Sequence, residues 1–309
     1  MNILFDPEDL DGYRSQIQSI SKASKEKMGL HIGYSFSIIP QQPPVPVQAD
    51  QSGYRPLPHL PFGIETTFTL SKQLQNGENR FSEVWLAQVP TVSSAMTSVT
   101  VVLKFFIPSK LPLPTTESVD LKLYRTPQEL VGCQYEAYMK LEEYQGKDIP
   151  YCFGKFRVNL PWDEESDVLV LEYIPRKFSD IILDDDCAAF KRLEDPEVYF
   201  ALFMSTLKFI ETAHRLVIYH LDIAERNALF DEINIRVVFI DWHNDVKVDF
   251  SGYAEERAPF TDLYTLTKLF YRCIIVEGSL EERLKRDGLL WRRLAECGGV
   301  YDPDINTFS

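Results

Sequence analysis

From Phe68 onward, apolar and polar positions alternate with the two-residue period of strands. The segments 68–74, 81–89 and 98–107 are rich in β-branched and aromatic residues, and each reads as a strand. The polar stretch 75–80 separates the first two, as a hairpin requires, and the prolines between Pro108 and Pro114 end the third. Thr126, Pro127 and Glu129 then supply the N-cap, N1 and N3 positions of a capping box. The helix they open sets Leu130, Cys133, Ala137, Tyr138, Leu141 and Tyr144 on one face, and Gly146 and Pro150 end it. Residues 167–174 form a further apolar strand.

The second half changes period. Asp195 and Pro196 open a helix that is apolar over most of its surface. Lys208 and Glu211 within it favour burial in a core over membrane insertion. Short strands follow at 228–230 and 236–240. Thr261 is predicted to cap a helix over 262–276, and Ser279 with Glu282 makes a capping box before a last helix. Strands first and helices second read as an α+β fold with segregated lobes. Ahead of them, residues 6–28 carry a weak helical pattern, and 40–61 hold seven prolines, the composition of an extended linker. The expected organisation is an N-terminal extension with a proline-rich linker over 1–61, a β-rich lobe over 62–175 and a mostly helical lobe over 176–309.

The chain has 309 residues and a formal net charge of −14. That charge gives no electrostatic footprint for a nucleic-acid backbone or an anionic membrane, so neither is an expected partner. No apolar run is long enough to span a bilayer, and the first residues lack a basic stretch followed by an apolar one. A cytoplasmic location is therefore expected. The five cysteines are odd in number and widely spaced, and the five histidines show no metal-ligand spacing.

One segment concentrates chemistry. Asp222 and Asn227 stand five residues apart after His220, and Asp241 ends an apolar strand fourteen residues after Asn227. Phosphoryl transfer needs a carboxylate beside the attacking hydroxyl and oxygen ligands for Mg²⁺. Asp222 suits the first role; Asn227 and Asp241 suit the second. Lys104 lies in a strand apolar on both faces, where a charge needs a partner.

The run His220 to Asn227 resembles the catalytic loop H-R-D-L-x-x-x-N of protein kinases, and Ile240-Asp241-Trp242 resembles their D-F-G motif. The resemblance extends in order along the chain. The strand of Lys104 resembles the one whose lysine orients the α- and β-phosphates of ATP, and Glu136 takes the place of that lysine's partner. Gly77 to Val84 occupies the place of the glycine-rich loop. Glu172 to Ile174 resembles the hinge, and Asp262 the buried aspartate that anchors the catalytic loop. His220 is implied to pack the loop and not to act as a base. The segments around Glu136 and His220 look most like divergent fungal protein-kinase-like sequences. The resemblance covers about residues 68–275 and implies a two-lobe fold that binds ATP and Mg²⁺.

Several positions depart from the family pattern. Of the three loop glycines only Gly77 remains, with Asn79 and Ser82 in the other places. Leu221 replaces the arginine that meets an activation-loop phosphate, and Trp242-His243 replaces Phe-Gly. Few residues follow Asp262, so the lower lobe is short. Three functions fit this set. The first is an ATP- and Mg²⁺-dependent phosphotransferase of the Ser/Thr protein-kinase kind. The second is a pseudokinase acting as a binding or scaffolding module. The third is a small-molecule kinase of the aminoglycoside or choline type. The hydroxyl substrate, protein or small molecule, is open.

Overall fold

The computed structural model of the chain describes residues 6–26, 29–44, 53–77, 80–91, 94–120, 124–184, 186–242, 253–272, 301–302 and 307–308. It divides into two compact units, one of residues 1–47, 56–145 and 151–173, the other of 48–55, 146–150 and 174–309. Helices and strands are mixed, with the sheet in the first unit and most of the helix in the second.

The first unit contains α1 (Leu10–Glu26), β1 (Ser35–Ile38), β2 (Thr66–Gln75), β3 (Glu83–Thr91), β4 (Ser94–Phe106), α2 (Thr116–Asp120), α3 (Pro127–Lys140), β5 (Cys152–Asn159) and β6 (Glu165–Glu172). The strands form one antiparallel sheet in the order β1-β2-β3-β4-β6-β5. Alternation puts Val101, Leu103, Phe105, Val168 and Val170 on one face, where all five are fully buried with Phe68 and Phe153. Ile20 of α1, Phe36 of β1, Leu57 and Phe62 pack against that core. Residues 10–38, which the sequence pattern set apart as an extension, thus contribute a helix and an edge strand to this unit. The strand β5 was also not expected. It carries two charges between its apolar ends, and Gly154 at φ 119° marks a register shift against β6.

The capping box at α3 is present in both directions. Thr126 Oγ1 accepts the Glu129 N–H at 3.3 Å, and Glu129 Oε2 accepts the Thr126 N–H at 2.8 Å. The helix buries Leu130, Val131, Gln134, Ala137 and Tyr138, and packs on β4, β5 and β6. None of these residues belongs to the core on the other face, so α3 covers the face of the sheet that carries Lys104.

The second unit contains α4 (Phe178–Ile182), α5 (Ala188–Leu193), α6 (Pro196–Arg215), β7 (Ala228–Asp231), β8 (Arg236–Phe239) and α7 (Tyr253–Arg272). Asp195 caps α6 by accepting the Glu197 N–H at 2.9 Å. α6 packs against α7, with the Phe203 and Phe270 rings 5.2 Å apart and the Tyr199 hydroxyl donating to Phe270 O at 2.7 Å. The turn of the β7–β8 hairpin is closed by Asp231, which accepts the Ile233 and Asn234 N–H groups. Arg55 from the proline-rich segment is buried here and donates to the carbonyls of Lys147 and Ile149 at 2.8 and 2.9 Å.

One boundary differs from the sequence expectation. Thr261 does not cap α7; the helix starts at Tyr253 and runs through Pro259 and Thr261. Asp262 is accordingly not a first-turn residue, and its carboxylate accepts bonds from a distant loop. The capping box at Ser279 and Glu282, with the helix after it, lies outside the described residues. No helix among the described residues is long and apolar enough to cross a membrane.

Candidate active site

The His220–Asn227 segment is held by one carboxylate. Asp262 is fully buried in α7. Its Oδ2 accepts the His220 N–H and its Oδ1 accepts the Leu221 N–H, each at 2.7 Å. His214 Nε2 of α6 stands 3.0 Å from the same Oδ2. A buried carboxylate bonded to two backbone N–H groups fixes those groups more rigidly than a neutral acceptor would. The chain then turns at Leu221, whose φ of 59° is left-handed. That turn brings Asp222 out at a half-exposed position.

Asn227 closes the segment from below. Its Nδ2 donates to the carbonyl and to Oδ2 of Asp222, both at 2.9 Å. Arg226 donates to the other carboxylate oxygen, Oδ1. Each oxygen keeps a further lone pair, so the carboxylate can still accept a hydroxyl proton. With Nδ2 oriented this way, Asn227 Oδ1 is left as a hard oxygen donor inside a buried residue.

Asp241 comes alongside through the backbone. β8 ends at Phe239, and the Ile240 N–H donates to Asn227 O at 3.1 Å. Asp241 follows at φ 64°, a left-handed position that redirects the chain. Trp242, in the place of an expected phenylalanine, is buried; its Nε1–H donates to Phe239 O at 3.1 Å and its ring lies 4.8 Å from that of His220. His243 lies outside the described residues.

His220 fills the space beneath this loop. It is fully buried, and its Nε2 donates to the Ile240 carbonyl at 2.8 Å. Nδ1 is then the unprotonated nitrogen, and it has no hydrogen-bond partner among the described residues. Burial holds the imidazole pKa below its ordinary value, against an opposing pull from Asp262. The ring is a neutral strut for the loop.

In the first unit, Lys104 is buried in the central strand β4, flanked across the sheet by Val84 and Leu169. Its ammonium stands 5.7 Å from the centre of the Phe106 ring. Glu136, expected as its partner, is on the exposed face of α3. The polar residue on the buried face is Gln134, which the sequence reading passed over. Gly77 adopts φ 79° at the end of the β2 hairpin, where a Cβ would meet that of Glu83 at 3.1 Å. Ser82 is buried and Asn79 lies outside the described residues. Glu172 accepts the Tyr151 N–H through Oε2 at 3.1 Å, and Ile174, buried, is where the second unit resumes.

Two further residues were not singled out from sequence. Arg226 sits four residues after Asp222, the spacing at which opposite charges meet on a helical turn. Gln134 shares a helical phase with Leu130, Ala137, Tyr138 and Leu141. Among the described residues, no group of three or more His, Cys, Asp or Glu side chains is arranged to hold a metal.

No family model matches the chain. No curated protein matches it either. Chains of solved structures do match, and one of them is the kinase of Cydia pomonella granulovirus. The chain is similar to it at 13% identity and a TM-score of 0.42, over 67% of this chain and 70% of that one.

Proposed function

We propose that the protein is a protein-kinase-like phosphotransferase that uses ATP and Mg²⁺ to phosphorylate a hydroxyl. The carrying observation is the clamp of Asp262 on the His220 and Leu221 N–H groups, which presents Asp222 with the Asn227 amide locked against it. A structural loop has no need of a half-exposed carboxylate held from both sides. A carboxylate so held is suited to orient an attacking hydroxyl and take its proton.

In this reading Asn227 Oδ1 and the Asp241 carboxylate hold Mg²⁺. The ion, when bound, supplies positive charge to the phosphate oxygens. Lys104 orients the α- and β-phosphates as a point charge. Gly77 and Val84 border the phosphates, and Glu172 and Ile174 contact the base. Glu136, on the exposed side of α3, is kept in this reading as the helix carboxylate that fixes Lys104.

A melting curve with and without ATP and Mg²⁺ tests the nucleotide site. A ligand at 100 times its dissociation constant stabilises by about 2.7 kcal/mol. Transfer of labelled γ-phosphate to Ser- and Thr-containing acceptors tests the reaction. A melting curve unmoved by millimolar nucleotide would end this reading.

The single glycine left in the place of the glycine-rich loop, Gly77, favours a second reading, a pseudokinase that binds nucleotide or partners without transfer. A nucleotide-dependent shift with no transfer to any acceptor would select it.

A further inference from the structure

An open pocket of about 500 Å³ lies within the second unit, beside the Asp222 loop. Residues 223–226, which link Asp222 to Asn227, form one wall. Lys177 and Ser179 at the start of α4, and Thr265 and Lys268 of α7, form the others. Lys177, Arg226 and Lys268 are cations, and Glu225 is the one anion beside them, in a chain of net charge −14.

The partners of these groups narrow what the pocket can do. Among the described residues, neither Lys177 nor Lys268 has a carboxylate partner; the Lys268 ammonium lies 4.2 Å from the centre of the Tyr264 ring. The Thr265 hydroxyl is engaged with the carbonyls of Thr261 and Asp262. Arg226 is the link to the site: it lines the pocket and also donates to Asp222. Like charges gathered in a concave wall repel one another and focus a positive potential. An acidic protein with 46 Asp and Glu residues has ample carboxylates to neutralise two lysines, yet these two face the cavity without one.

We propose that this pocket receives an anionic side chain of a polypeptide acceptor, adjacent in its sequence to the hydroxyl presented to Asp222. Acceptor choice is then acid-directed. Lys177 and Lys268 supply the charge, Ser179 a hydroxyl donor, and Arg226 a guanidinium that spans from the anion to Asp222. The anion is a carboxylate or a phosphate, as both suit ammonium and guanidinium donors. A basic flanking residue meets like charge and is rejected. The inference rests on the phosphotransferase reading for the word acceptor, but not for the anion.

The test uses the full chain and three fluorescein-labelled peptides with one central serine. They are flanked by aspartates, by phosphoserine, or by lysines. Fluorescence anisotropy without nucleotide reads binding alone. The aspartate or phosphoserine peptide is expected to bind at least about tenfold tighter than the lysine peptide, and the advantage to shrink as salt rises. The tighter of the two identifies the source of the anion. The K177E/K268E variant should lose the preference, and K177Q/K268Q should lose most of it, both with an unchanged melting temperature. Equal binding of all three peptides, or a preference that survives in both variants, overturns the proposal. A labelled-phosphate assay on the same peptides separates the two readings. Acid-selective binding without transfer supports the anion site and ends the phosphotransferase reading. Transfer without acid selectivity overturns the anion site alone.

Discussion

Asp262 accepts the backbone N–H of Leu221 at 2.7 Å, although the two residues are 41 positions apart and Leu221 is in a left-handed conformation. The bond couples a buried residue of α7 to a left-handed turn of the second unit. Removing the carboxylate leaves two backbone N–H groups without their acceptor, and each such group costs about 1–3 kcal/mol. Asp262→Ala should therefore lower stability by about 2–5 kcal/mol in urea denaturation. Asp262→Asn keeps one acceptor oxygen and turns an NH₂ toward a donor, so it should recover less than half of that loss. A change below about 0.5 kcal/mol for the alanine variant would show that the loop is held by other means.

Leu221 offers a converse test on the same turn. An L-residue in the left-handed region costs about 1–2 kcal/mol, and glycine does not carry this cost. The gain from Leu221→Gly is offset by the greater freedom of the unfolded chain, so the variant should lie within about 1 kcal/mol of the parent. Leu221→Val, β-branched and poorly suited to positive φ, should be destabilised by about 1–2 kcal/mol. Paired denaturation curves decide the order of the three.

Gly77 is subject to a different constraint. It combines φ 79° with a Cβ position 3.1 Å from the Glu83 Cβ. Glu83 cannot easily give way, because it is buried and bonded to Lys110, to Gln73 Nε2 at 2.7 Å and to Trp85 Nε1 at 2.9 Å. Gly77→Ala should cost about 1–3 kcal/mol. If nucleotide binds as proposed, its melting shift should also fall.

These positions show what the sequence made legible. That Asp222 and Asn227 come together was readable because their spacing is local. The strand of Lys104 was readable because its neighbours are apolar on both faces. The Thr126–Glu129 capping box was readable because both of its bonds form within four residues. Thr261 misled because Thr-Asp at the start of an apolar run has the same pattern whether the aspartate caps its own helix or bonds a loop. Asp262 does the second, a tertiary fact with no local signature. Gln134 was passed over because it carries no charge, although helical phase puts it on the buried face. The edge strand β1 is only four residues long, with one buried position, and gave too short a pattern to register.

On the proposed function, the two aspartates should separate kinetically. Asp222 is aimed at the hydroxyl and Asp241 at the metal. Asp222→Ala should cut phosphoryl transfer by about 10²–10⁴ while the nucleotide melting shift stays near that of the parent. Asp241→Ala should abolish most of the Mg²⁺-dependent part of that shift. Full turnover by the Asp222 variant on an authenticated acceptor would remove the general-base role.

The last expectation concerns pH and requires no assumption about activity. His220 is buried as a neutral ring, and burial depresses its folded-state pKa below the ordinary imidazole value of about 6.5. The unfolded chain therefore binds a proton at His220 more readily than the folded protein does. Stability rises with pH wherever the unfolded state holds more protons. The neutral-ring contribution is thus fully present above pH 6.5 and is lost as pH falls from 6.5 toward the depressed folded value. Protonation would place a second N–H at Nδ1, where no acceptor stands among the described residues. Asp148 does not produce this slope. Burial raises its pKa, so its effect runs in the opposite direction and adds stability as pH falls. Denaturation at pH 7.5 and at pH 5.5 should show a lower midpoint at the acid value. His220→Asn can still donate to the Ile240 carbonyl but does not titrate. It should weaken the protein at both values and flatten the difference between them. An undiminished pH difference in that variant would assign the acid sensitivity to another group.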